Sequence, residues 1–189
     1  MNFLKVLKNH WAVATQAALW FLSVFATFIY PPPANLLDLE QQQGGTGYNF
    51  ARFGLTLIVA VLFFVARNFC RHRGLWLAVG LLALVGGGAL YFSYVGRLSD
   101  WTASYNHGRA VHGEQLTAPA RAYAERTGIR LDPIDHATLL MQYAGAAADV
   151  WSDTAVIHRR WWLLLLLYCG TTAAFALAIT AILQATQRR

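Results

Sequence analysis

The stretch ARNFCRHRG, residues 66–74, places three arginines, one histidine and one cysteine between two apolar runs. It can be read as a metal or redox site, as a nucleic-acid patch, or as a short turn that orients a membrane protein. A zinc site takes about three or four His, Cys or carboxylate ligands, and one Cys with one His falls short. The stretch is also too short and too isolated to grip a duplex, where affinity grows with the number of phosphates neutralised. The third reading depends on its flanks.

Those flanks are two of four blocks that contain no Asp, Glu, Lys, Arg or His: Trp11–Tyr30, Phe53–Ala66, Leu75–Val95 and Trp161–Leu183. A bilayer-spanning helix needs about 20 mostly apolar residues. Three blocks reach that length, and the second is extended by Tyr48–Phe50, with Arg52 able to reach the interface. Only 13% of the chain is charged, against ~25% in an ordinary soluble domain. The fold class expected is therefore an all-α integral membrane protein. It has four transmembrane helices (11–30, 48–66, 75–95 and 161–183) and a small helical extracytoplasmic insertion, residues 96–160, between the third and fourth. The first block reads as a retained span, because its apolar run exceeds the ~7–15 residues of a signal-peptide core.

Charge distribution sets the orientation. Residues 1–10, 67–74 and 184–189 carry Lys5, Lys8, Arg67, Arg71, Arg73, Arg188 and Arg189 and no carboxylate. Residues 31–52 and 96–160 carry all nine carboxylates: Asp38, Glu40, Asp100, Glu114, Glu125, Asp132, Asp135, Asp149 and Asp153. Basic residues beside span ends favour the cytoplasm, so both termini are expected there, with 31–50 and 96–160 outside and the seven basic residues as topology anchors. Arg159 and Arg160 at the outer mouth of the last span argue against this; long segments, however, translocate largely regardless of charge. The net charge of +6 thus speaks for topology rather than for nucleic acid. Arginine dominates the basic residues and Ala and Gly are abundant, which points to a bacterium of high genomic GC content and to its inner membrane.

Within residues 96–160, Trp101 and Tyr105 suit the interfacial aromatic belt. Thr117 can cap a helix with Pro119 in its first turn. Leu116, Ala120, Tyr123 and Thr127 fall on one face of that helix, and Gly128 suits its stop. A second helix starts at Asp132-Pro133, with Asp135 three residues after the cap. Leu139, Leu140 and Tyr143 form its apolar side and Gly145 ends it. A last helix begins near Ser152 and runs unbroken into the fourth span. The 31–50 loop reads as a spacer, with Pro31–Pro33 extended and stiff.

Candidate chemistry is thin. His107, His112, Glu114, His136 and His158 share the outer side and could in principle form a zinc or copper site. Yet HGRAVHGE matches no recognised ligand spacing, so no metal and no cofactor is expected. Ser99, Ser104 and Ser152 lack a nucleophile-elbow context. Asp149 and Asp153, at i and i+4, read as the solvated face of a helix. The spans contain none of the buried ionisable residues that ion-coupled transporters use. Gly170, Ala174 and Ala178 recur every four residues in the fourth span, and Gly86, Gly87 and Gly88 expose backbone in the third, both suited to close helix packing.

The expected function is a non-enzymatic accessory, assembly or sensing subunit acting through 96–160. Its expected partners are the lipid bilayer and a protein partner or further copies of itself, with no nucleic acid. A self-assembling pore or membrane-disrupting effector is the alternative, and an envelope enzyme using the outer histidines is third.

Overall fold

The computed structural model describes residue 61 and residues 73–105, 108–129, 134–145 and 147–186. The first, second and outer-loop expectations (11–30, 48–66 and 31–50) therefore lie outside the described residues, apart from Val61. The described residues are mostly helical. In chain order the elements are α1 (Arg73–Trp101), β1 (Thr102–Tyr105), β2 (Gly108–Val111), α2 (Ala118–Thr127), α3 (Ile134–Ala144), α4 (Ala147–Val150) and α5 (Thr154–Thr186).

Two of these helices, over Gly74–Trp101 and Thr154–Ile182, are long and apolar enough to cross a membrane. At 1.5 Å per residue α1 measures about 44 Å and α5 about 50 Å, against a hydrocarbon core of about 30 Å. Only 17% and 39% of the residues in their apolar stretches are buried. Leu82, Val85, Phe92 and Leu166 are all exposed. Both helices run past the expected spans. α1 continues from Val95 to Trp101, and α5 begins seven residues before Trp161.

The chain divides into two compact units. Among the described residues, one holds 73–91 and 169–186. Its two helical segments run antiparallel, as the pairing of positions along them requires: Trp76 packs with Ala181 and Ala185, Gly80 lies against Ala181 and Ile182, Gly87 against Ala174 and Phe175, and Gly170 against Leu90. A β-carbon at Gly87 would sit 3.3 Å from Ala174 Cβ and 3.4 Å from the Phe175 ring, while Gly86 and Gly88 have nothing within 4 Å among the described residues. Successive residues turn 100° around a helix, so only the middle glycine of the three meets the neighbouring helix. Ala178 and Thr171 are buried, and the buried Thr180 hydroxyl donates to Ala176 O at 2.7 Å, so its polar group is satisfied within its own helix.

The other unit holds residues 92–168. It contains an antiparallel hairpin that the sequence does not announce, with Thr102 opposite Val111 and Tyr105 opposite Gly108. Residues 96–160 are therefore not wholly helical. The hairpin continues the end of α1: His112 N donates to Trp101 O, and the Thr102 hydroxyl bonds back to Leu98 O. α3 lies on β1, where Ser104 N donates to the Thr138 hydroxyl at 3.3 Å. A second antiparallel bridge, Leu116 opposite Trp151, joins the segment before α2 to the segment before α5. Around these strands the core collects Tyr94, Val111, Leu140, Met141, Val150, Ile157 and Leu164.

Thr117 stands at the N-cap of α2 with extended backbone, but its hydroxyl makes no cap bond. It donates instead to Asp149 O at 2.7 Å, tying α2 to α4. Gly128 (φ 66°) and Gly145 (φ 92°) end α2 and α3 in the left-handed region, where a side chain is strained. The cap at Asp132 and Pro133 lies outside the described residues. The buried side of α3 is Ala137, Leu140 and Met141, whereas Leu139 and Tyr143 are exposed, which corrects the expected apolar side by one residue of helical rotation. Asp149 and Asp153 do not share a helix. Asp149 belongs to α4, and Asp153 precedes α5, where its carbonyl accepts from Val156 N and Ile157 N.

The seam between α1 and α5 yields a test. Gly87→Leu drives a side chain into Ala174 and Phe175 and is expected to lower stability by about 1–3 kcal/mol, the usual result of overpacking. Gly86→Leu points into open space and should leave the thermal midpoint unchanged or slightly raised. Thermal unfolding in detergent, followed by tryptophan fluorescence, distinguishes the two.

Candidate functional site

Two constructions stand out in the unit of residues 92–168, an arginine clamp and an aromatic cleft. The clamp centres on Arg160, in the second turn of α5. Its Nη1 donates to His112 O at 2.8 Å and to Gly113 O at 3.3 Å, and its Nη2 pairs with Glu114 Oε1. The Arg160 side chain is 11% exposed and that of Glu114 60%. The carboxylate is thus largely solvated and contributes little, and the two carbonyls carry the interaction. Trp101 lies beneath two guanidinium groups, with Arg160 Cζ 5.6 Å and Arg97 Cζ 5.7 Å from its ring centroid. Trp101 is thus a cation–π platform.

Asp153 completes the clamp from the start of α5. Its Oδ2 accepts from Glu114 N at 2.8 Å. Its Oδ1 lies so close over Gly113 that a β-carbon there would stand 2.1 Å away. Position 113 therefore has room only for glycine.

The sequence-derived metal candidates are divided by this geometry. His112 is half-buried, with Nε2 2.9 Å from Asp100 O and Nδ1 2.9 Å from Gly113 O. Its ring packs 5.5 Å from that of Trp151. Both nitrogens face backbone carbonyls, and Nδ1 also lies 3.4 Å from Arg160 Nη1, so the ring acts as a structural link. His158 is exposed and bonds through Nδ1 to Thr154 O at 2.8 Å. His107 and the side chain of His136 lie outside the described residues. Among the described residues no three His, Cys, Asp or Glu side chains gather closely enough to hold a metal. Ser152 donates to Gln115 O at 3.2 Å. Of the topology anchors, Arg73 opens α1, and Lys5, Lys8, Arg67, Arg71, Arg188 and Arg189 lie outside the described residues.

The cleft was not legible from the sequence. It holds about 440 Å³ and is lined by Thr117, Pro119, Ala120, Tyr123, Leu140, Tyr143, Ala144 and Asp149. Three elements build it: α2 supplies Pro119, Ala120 and Tyr123, α3 supplies Leu140, Tyr143 and Ala144, and α4 supplies Asp149. The rings of Tyr123 and Tyr143 stack at 3.7 Å between centroids, 10° from parallel. Tyr123 is half-buried and Tyr143 is 66% exposed. An open recess with aromatic walls and one acidic residue is suited to binding rather than to covalent chemistry. The signal in the sequence was the pair of tyrosines on the margins of two helices that share a core, which spacing alone cannot bring together.

Searches against protein-family models, curated proteins and solved structures found no match to this chain.

The clamp predicts an asymmetry between its two ends. Arg160→Met leaves two carbonyls without their donor and should cost roughly 2–3 kcal/mol. Glu114→Gln removes only the solvated end and should cost less than about 1 kcal/mol. Chemical denaturation of the two variants in one detergent compares them directly, and equal losses would assign the clamp to the ion pair instead.

Proposed function

We propose that the chain is a four-span protein of a bacterial inner membrane, with both termini in the cytoplasm and residues 31–50 and 96–160 outside. It serves as a non-enzymatic accessory, assembly or sensing subunit through its outer part. The observation that carries this reading is the continuity of the chain around the unit of residues 92–168. The polypeptide enters that unit along α1 and leaves it along α5, each an unbroken helix apolar enough to cross a membrane. A small folded unit held at both ends in this way cannot diffuse from the membrane. What it binds is therefore registered at the bilayer.

Further support comes from where the polar groups are spent. Of the residues most suited to chemistry, Glu114 and Asp153 tie the 112–114 segment to the start of α5, and His112 ties it to the end of α1. Tyr143, Leu139 and Asp149, which are among the residues exposed to solvent, are of the kinds that make contacts. Exposed tyrosine in particular supplies large contact area at low entropic cost.

Extraction of the tagged full chain from native membranes in mild detergent, followed by particle-mass measurement and identification of co-purifying protein, tests the reading. A companion in fixed stoichiometry is the expected outcome. A homogeneous ring of this chain alone would overturn it in favour of a self-assembling pore, and a lone monomer would overturn it outright.

A further inference from the structure

We propose that the cleft between α2, α3 and α4 binds a small organic ammonium ion, held between the Tyr123–Tyr143 stack and the carboxylate of Asp149. The inference rests on the accessory-subunit reading only in supposing that the cleft meets its ligand on the outer side.

Charge decides the class of ligand. Asp149 is the single formally charged residue among the eight that line the cleft. Its backbone carbonyl is taken by the Thr117 hydroxyl. Its exposed side chain makes no hydrogen bond and no ion pair among the described residues. The nearby basic residues of α2, Arg121 and Arg126, do not line the cleft, and Arg126 Nε is directed to Ala122 O. Among the described residues nothing pairs with this carboxylate, so an anion beside it would be repelled. A neutral apolar guest would strip water from that carboxylate and return nothing, which is costly. A cation complements it.

The aromatic wall favours the same class. The face of a tyrosine ring carries the negative lobe of its quadrupole and attracts cations within about 6 Å of the centroid. The two rings cover each other's inner faces at 3.7 Å, which leaves the outer face of the exposed Tyr143 open. Pro119, Ala120, Leu140 and Ala144 supply apolar surface for the carbon substituents of an alkylated nitrogen. The volume of about 440 Å³ falls near the low end of the range for small-molecule sites, ~300–1,000 Å³, which suits a compact ion rather than a peptide segment.

The test uses the full chain in the uncharged detergent dodecyl maltoside, titrated by calorimetry with choline and with 3,3-dimethylbutan-1-ol, which has the same shape and no charge. Choline should bind with a Kd below about 1 mM, and the neutral alcohol at least about tenfold more weakly. Asp149→Asn and Tyr143→Leu should each weaken choline binding by about tenfold, with the thermal midpoint of Asp149→Asn unchanged. Equal binding of the two compounds would reduce the cleft to an apolar recess and overturn the proposal. So would choline binding that survives both substitutions, or no heat of binding up to roughly 10 mM choline. Because the companion experiment does not involve choline, each idea can fail without the other. A companion without choline binding sinks only the cleft proposal, and choline binding without a companion sinks only the accessory reading.

Discussion

Arg160 donates from the second turn of α5 to the carbonyls of His112 and Gly113 with its side chain almost wholly covered. A buried guanidinium must be hydrogen-bonded or its desolvation is not recovered, so these carbonyls have to be held where the fork can reach them. That requirement propagates. The 112–114 segment is positioned by the hairpin before it, through His112 N on Trp101 O, and by Asp153 after it, through Glu114 N on Oδ2. Gly113 is the point at which any side chain would push the two segments apart. The end of α1, the hairpin and the start of α5 are thus fixed by one set of polar contacts with few residues in each.

The segments of α1 and α5 at 73–91 and 169–186 depend on a different principle. Among the described residues, no charged side chain takes part in the contacts between them. Their approach is set by side-chain size, with Gly87 opposite Ala174 and Gly80 opposite Ala181. In lipid the hydrophobic effect does not drive helices together, and close packing of small residues takes its place. On the proposed membrane placement, the contrast between the two units follows from their solvents. Where water is present, hydrogen-bonded polar groups define geometry, and where helices are apolar on every side, steric fit does.

What the sequence made legible reflects how local each signal is. Thr117, Pro119 and Gly128 bound α2 because capping and left-handed stops act over one turn. The unbroken α5 was visible because no Gly or Pro stands between Ser152 and the apolar block that begins at Trp161. The hairpin was hidden for a physical reason: Thr102 and Ala103 are both buried, as are Ala110 and Val111, so both faces are covered at the end next to α1 and the alternation that marks a half-exposed strand is absent there. The side of α3 was misread because Ala137, a small residue, is buried while Leu139 is not. Hydrophobicity alone cannot rank those two positions when the neighbours are unknown. Asp149 and Asp153 were separated by the Leu116–Trp151 bridge, a contact between residues distant in sequence.

One wall of the cleft, α2, is lightly anchored. α2 buries only Ala120 and Ala124 from its own length, and alanine removes little apolar area from water. Thr117 at its start is held by Val150 O and Asp149 O, but the remaining turns have few anchors other than the Tyr123–Tyr143 stack. An aromatic pair is worth about 0.5–1.5 kcal/mol beyond its area, a substantial share of what secures so short a helix. Elements with few buried contacts open at lower free energy than the rest of a domain. Whatever occupies the cleft therefore acts first on the fit of α2 against α3 and α4. α4 is joined through Trp151, Ser152 and Asp153 to the first turn of α5, so the residues that would sense occupancy and those that begin the apolar helix are neighbours along the chain.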